Sequence, residues 1–118
     1  MFKDNNAERP CDVFTDDLAM VILADLIFKW GKERNITAEG GATSLSQIKK
    51  LKEEVQEIED ALIAGDKKAA MDGVGDSTVV LLQICRLAGF DFVECLSMAY
   101  DEIKDRRGTM TGVVFVKE

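Results

Sequence analysis

The sequence predicts an all-α fold of four main helices ending in a short extended tail, and three observations carry that expectation. Apolar side chains recur every three or four residues over several long stretches, which is the period of a helix face. Glycines and small polar residues fall between those stretches, where helices stop and start. After Gly108 the apolar run GVVFV at 112–116 is short and β-branched, so it reads as a strand that pairs with another chain.

Residues 1–14 are polar, carry the only proline, Pro10, and read as a loosely ordered segment before a single domain over 15–118. The first helix begins near Thr15 to Asp17, whose side chains can cap free amides, and runs through Leu18, Val21, Ile22 and Phe28 to about Arg34. Residues 37–43, TAEGGAT, form a loop. Ser44 and Gln47 then make an S-x-x-Q capping box for the second helix. There Ile48, Leu51, Val55, Ile58 and Leu62 form one seam toward a core, Glu54 and Glu57 flank it, and Glu53 points away.

Gly65 ends that helix and Asp66 caps the third, so the two are antiparallel neighbours joined by a short turn. The stretch 69–88 is apolar on most faces and reads as a largely buried central helix. One stripe holds Met71, Val74, Thr78, Leu81, Leu82 and Cys85; the opposite side holds Val79, Val80, Ile84 and Leu87. Gly89 ends it. Asp91 and Glu94 cap a fourth helix with Val93, Leu96, Tyr100 and Ile103 on its apolar stripe. Lys104, Arg106 and Arg107 crowd its last turn, suited either to the helix C-terminus or to phosphate.

A net charge of −7 and a pI of about 4.6 argue against a nucleic-acid polymer as partner. No apolar run reaches the length of a membrane span, and the first residues lack a signal-peptide core. Cys11, Cys85 and Cys95 are odd in number and lack metal-site spacing, so they read as reduced thiols of a cytoplasmic protein. Histidine is absent, which removes Ser-His and Cys-His catalysis and the commonest zinc ligand.

What remains is carboxylate chemistry. Asp72 and Asp76, four residues apart and about 40° from each other around the third helix, interrupt its apolar surface. Carboxylates in such a setting are paired with a basic side chain or bind a metal. With Glu54 and Glu57 they present four oxygen ligands to one space, and an all-oxygen set favours magnesium, or manganese, over softer metals. Glu53 either orients an attacking water or is simply solvated. Trp30 either stacks on a base or packs in the core, and Gln47 either reads a base edge or only caps its helix.

The run KLKEEVQEIEDAL at 50–62, then MDGVGDSTVVLL at 71–82 and AYDEIKDRRGTM at 99–110, resembles the MazG-like nucleotide pyrophosphohydrolases, most closely their short, phage-type members. The likeness spans residues 15–118. It implies a bundle-like all-α domain and a magnesium-dependent enzyme that cuts a nucleoside triphosphate between the α and β phosphates. The family's E-x-x-E ligands fall on Glu54 and Glu57, and its aspartate on the next helix falls on Asp76. Gly73 stands where the family has a glutamate, with Asp72 as the substitute one residue earlier. The N-x-x-K motif falls on Asp101 and Lys104, of which Asp101 departs from it. Lys104 and Arg106 are then the triphosphate contacts.

A pocket of this kind needs an opposite wall, so a homodimer or dimer of dimers is expected. Two other readings stay open: a non-catalytic helical adaptor whose acidic face binds a partner, and a pyrophosphohydrolase acting on a nucleotide-linked metabolite.

Overall fold

The computed structural model describes residues 18–118: α1 (Ala19–Glu33), α2 (Ser44–Ala64), α3 (Lys67–Ala88), α4 (Phe92–Ile103), and strands β1 (Gly108–Thr111) and β2 (Val114–Lys117). The all-α character is as expected. The expected start of α1 at 15–17, the segment 1–14 and Cys11 lie outside the described residues. None of the described helices is long and apolar enough to cross a membrane.

The start of α2 differs from the S-x-x-Q box. Thr43, not Ser44, is the cap, because its extended backbone (φ −129°, ψ 161°) turns its hydroxyl onto the free amides while Ser44 is already helical. Ser46 N donates to Thr43 Oγ1 and Thr43 N donates to Ser46 Oγ, both at 2.9 Å, so the reciprocal box is Thr43 with Ser46. Gln47 has no part in it beyond its backbone bond to Thr43 O.

Gly65, at φ 70°, ends α2 in the left-handed conformation that glycine adopts without steric penalty. Asp66 caps α3 by accepting from Ala69 N at 3.1 Å. So tight a turn folds α2 and α3 into an antiparallel pair that packs closely at Gly73. A Cβ there would lie 2.6 Å from Ile58 Cγ1 and 3.5 Å from Ile58 Cα. From that contact the helices run in opposite directions, so the facing rungs are Ala61 with Ala70, Ile58 with Gly73, Glu54 with Ser77 and Leu51 with Val80. Ala61, Ala70, Gly73, Val80 and Glu54 are all buried.

This register corrects the expected seam. Val55 is exposed, and Glu54 takes the inward place. Both lie within a turn of Ile58, and the close approach at Gly73 selects the four-residue step over the three-residue one.

The same approach gives opposite signs to two glycine substitutions in α3. Gly75 has open space around it, so Gly75→Ala should stabilise by up to about 1 kcal/mol through helix propensity. Gly73→Ala should destabilise by about 1 kcal/mol net, because Ile58 is stiff at χ1 and overpacking costs roughly 1–3 kcal/mol. Thermal melts of the two variants check this, and equal signs would refute the register.

The other side of α3 holds α1. Gln83 is 1% exposed, and its Nε2 donates to Ile27 O at 3.1 Å. Its Oε1 accepts from Arg86 Nε and Nη2 at 3.0 and 2.8 Å, while Arg86 also donates to Ile36 O. Gly31 is buried against this network, since a Cβ there would stand 2.0 Å from Gln83 Oε1. Leu82 and Cys85 are buried as the stripe predicted, but Met71, Val74 and Leu81 of that stripe are exposed. Burial and then the neighbouring Cys95 thiol push Cys85 above its usual pKa.

Asp91 caps α4, accepting from Val93 N at 3.0 Å, with Glu94 in the first turn. Val93, Leu96, Tyr100 and Ile103 are exposed. The tail is a hairpin within the chain, with β1 antiparallel to β2 and Thr109 opposite Val116. The strand expected to pair with another chain therefore pairs with Gly108–Thr111, because Gly112 at φ 63° supplies the tight turn.

Candidate carboxylate site

Glu54 is 5% exposed on the face of α2 that meets α3. A carboxylate so buried needs compensation. Half of it is visible, since Lys50 Nζ, one turn earlier, stands 3.0 Å from Glu54 Oε1 and 3.9 Å from Glu53 Oε2. Lys50 is raised above its usual pKa by that hydrogen bond and by the Glu54 charge. The other oxygen, Oε2, is buried with no hydrogen-bond partner.

Glu57 lies one turn further along α2 and is exposed. The Glu54 charge beside it, then a hydrogen bond to Glu54 that Glu57 can donate only when protonated, hold it above its usual 4.5. Desolvation adds to the shift, Lys50 opposes it, and Asp76 of α3 raises it further. The structure thus brings Glu54, Glu57 and Asp76 around one flank of the α2–α3 seam.

Asp72 and Asp76 are both exposed, which corrects the expectation of a largely buried helix around them. Asp76 precedes Ser77 on the seam and sits on its flank; Asp72 lies about 40° further round, away from α2. Among the described residues no hydrogen bond or ion pair joins Asp72 to the other three carboxylates, and no set of three or more acidic or cysteine side chains is drawn to cation-binding spacing. Glu53 is exposed, as its direction implied.

Two of the basic residues beyond α4 are engaged locally. Lys104 pairs with Asp101 at 3.3 Å and Arg106 with Glu102 at 3.6 Å. Trp30 is 40% exposed rather than in the core, and the Arg34 guanidinium lies 5.0 Å above its ring. Gln47 is half-buried near the start of α2.

Lys50 and Ser77 escaped the sequence reading. Lys50 stands at the i, i+4 spacing from Glu54 that favours an ion pair, a signal present in the sequence. Ser77 shows only in the register of the two helices. Comparisons with protein families, with curated proteins and with solved structures return no match to this chain.

Proposed function

We propose that the chain is a magnesium-dependent nucleoside triphosphate pyrophosphohydrolase that cleaves between the α and β phosphates, releasing a monophosphate and pyrophosphate. The observation that carries the reading is Glu54 Oε2, a buried anionic oxygen without a donor, beside Glu57 and Asp76. A hard divalent cation, magnesium or manganese, suits such a set of oxygens. Glu54, Glu57 and Asp76 would hold it, with Asp72 as a fourth ligand after a rotamer change. Bound there, the ion would neutralise phosphate charge and lower the pKa of a coordinated water. The three quoted sequence motifs support the same reading.

The chain's own residues divide the remaining work. Lys50 neutralises Glu54 in the absence of a cation. Glu53, exposed at the outer edge, has the freedom to accept a proton from water. Lys104 and Arg106 would leave Asp101 and Glu102 for phosphate oxygens, and Trp30 offers an aromatic face to a base. Exposed Leu23, Leu26, Val74 and Leu81 support assembly as a homodimer or dimer of dimers. The free thiols Cys85 and Cys95 suit a reducing cytoplasm.

A panel of ribo- and deoxynucleoside triphosphates, incubated with magnesium and scored for pyrophosphate against phosphate, tests this. Pyrophosphate with a monophosphate is expected, and EDTA should abolish it. Release of single phosphate, or full activity in chelator, would overturn the proposal.

A further inference from the structure

Among the described residues, two buried side-chain atoms have no hydrogen-bond partner, Glu54 Oε2 and Ser77 Oγ. They belong to facing rungs. Stepping four residues from the Ile58–Gly73 contact in each chain direction reaches Glu54 on α2 and Ser77 on α3. It is a polar rung flanked on the seam by Ala61, Ala70, Ile58, Gly73, Leu51 and Val80.

A helical serine ordinarily turns its hydroxyl back to the carbonyl four residues earlier. Its neighbour Thr78 does so, donating to Val74 O at 2.9 Å. Ser77 does not, and it lies against α2 with its donor uncommitted. A buried hydroxyl and a buried carboxylate oxygen left open at one level of an interface are both costly unless something joins them.

We propose that Ser77 is a positioning residue, whose hydroxyl donates to Glu54 Oε2 when the carboxylate leaves Lys50 and thereby aims Glu54 at a divalent cation. The inference rests on the function proposed above and deepens it. Its chemistry is that of a group hydrogen-bonded to a metal-binding carboxylate, which fixes the orientation of the ligand without touching the ion. An alanine at 77 would keep the seam filled and remove only the donor.

Manganese titration of the whole protein, followed by calorimetry or by the electron paramagnetic resonance of free Mn2+, reads this directly, alongside a metal-free melt. Ser77→Ala should lose roughly 10- to 100-fold in Mn2+ affinity, the range for removing such a partner. Its metal-free melting temperature should hold or rise, since an unpaired buried hydroxyl is gone. Ser77→Thr, which retains the hydroxyl, should restore most of the affinity. If the wild type binds Mn2+ and Ser77→Ala binds it equally, the role of Ser77 is wrong while the proposed function stands. Affinity and metal-free stability falling together in Ser77→Ala would make Ser77 structural and likewise overturn it. A wild type that binds no Mn2+ defeats the function itself.

Discussion

Replacing Gln83 with alanine is expected to lower stability by about 3 kcal/mol and the melting temperature by roughly 10–20 °C. Gln83 is the piece that ties α1 to α3: its amide donates to Ile27 O and its carbonyl accepts two bonds from Arg86. Truncation leaves the Arg86 guanidinium with only Ile36 O and opens a cavity beside Gly31. Gly31→Ala supplies the control. In the native background its Cβ would meet Gln83 Oε1, a side chain held by three hydrogen bonds and unable to move cheaply, so it should destabilise. In the Gln83→Ala background the obstacle is gone, and the same change should be neutral or favourable. Calorimetric melts of the four proteins decide the matter; a loss under about 1 kcal/mol for Gln83→Ala, or strict additivity, would show that the network does not hold α1.

Glu57→Gln should separate function from stability. Nucleotide cleavage should fall by roughly 100-fold or more in kcat/KM, because one anionic ligand of the proposed cation is lost. The metal-free protein should become more stable at neutral pH, since Glu54 and Asp76 no longer face a third charge. The sign follows from Glu57 itself. Its folded pKa lies above the ordinary 4.5, so just above that pH the folded state holds a proton that the unfolded chain has released. The Glu57 contribution to wild-type stability in chelator therefore declines as pH rises out of that window, and the Glu57→Gln protein lacks this component. Metal-free melts across pH, set beside pyrophosphate assays, check both halves. A variant less stable than wild type in chelator at pH 7 would mean that Glu57 is held by a favourable partner.

The helices and their stops were legible because their signals are local: the αL glycines Gly65 and Gly89, the caps Asp66 and Asp91, and the three-four spacing of apolar residues. The inward face of α2 was not. The apolar period puts Val55 on the seam and Glu54 on its flank, and only the missing side chain of Gly73, on another helix, turns the inward face toward Glu54. The Thr43 cap was missed by one residue because Thr43, Ser44 and Ser46 are all capable cappers and the extended backbone at Thr43 makes the choice. Spacing alone grouped Glu54, Glu57, Asp72 and Asp76, since a tight antiparallel turn leaves few ways to arrange them; the structure places the first two and Asp76 on one flank and leaves Asp72 further round α3. The exposure of Asp72 escaped because composition alone cannot tell which apolar face of α3 a single chain covers. Gln83 and Arg86 carried a signal, polar groups in an otherwise apolar run, but their partners Ile27 and Ile36 are about fifty positions away.

With only Gly65 and Asp66 between α2 and α3, the seam is made by neighbours in sequence, and little chain entropy is lost in closing it. Contacts of this range form early, before the long reach from α3 back to Ile27 and Ile36. The rung that holds Glu54 is then expected among the first to form, with Lys50 as its counter-charge on the same helix. The bonds that tie α3 to α1 and to Ile36 are separate from this seam, so a loss of α1 is expected to break the Gln83 and Arg86 bonds before it disturbs the α2–α3 rungs.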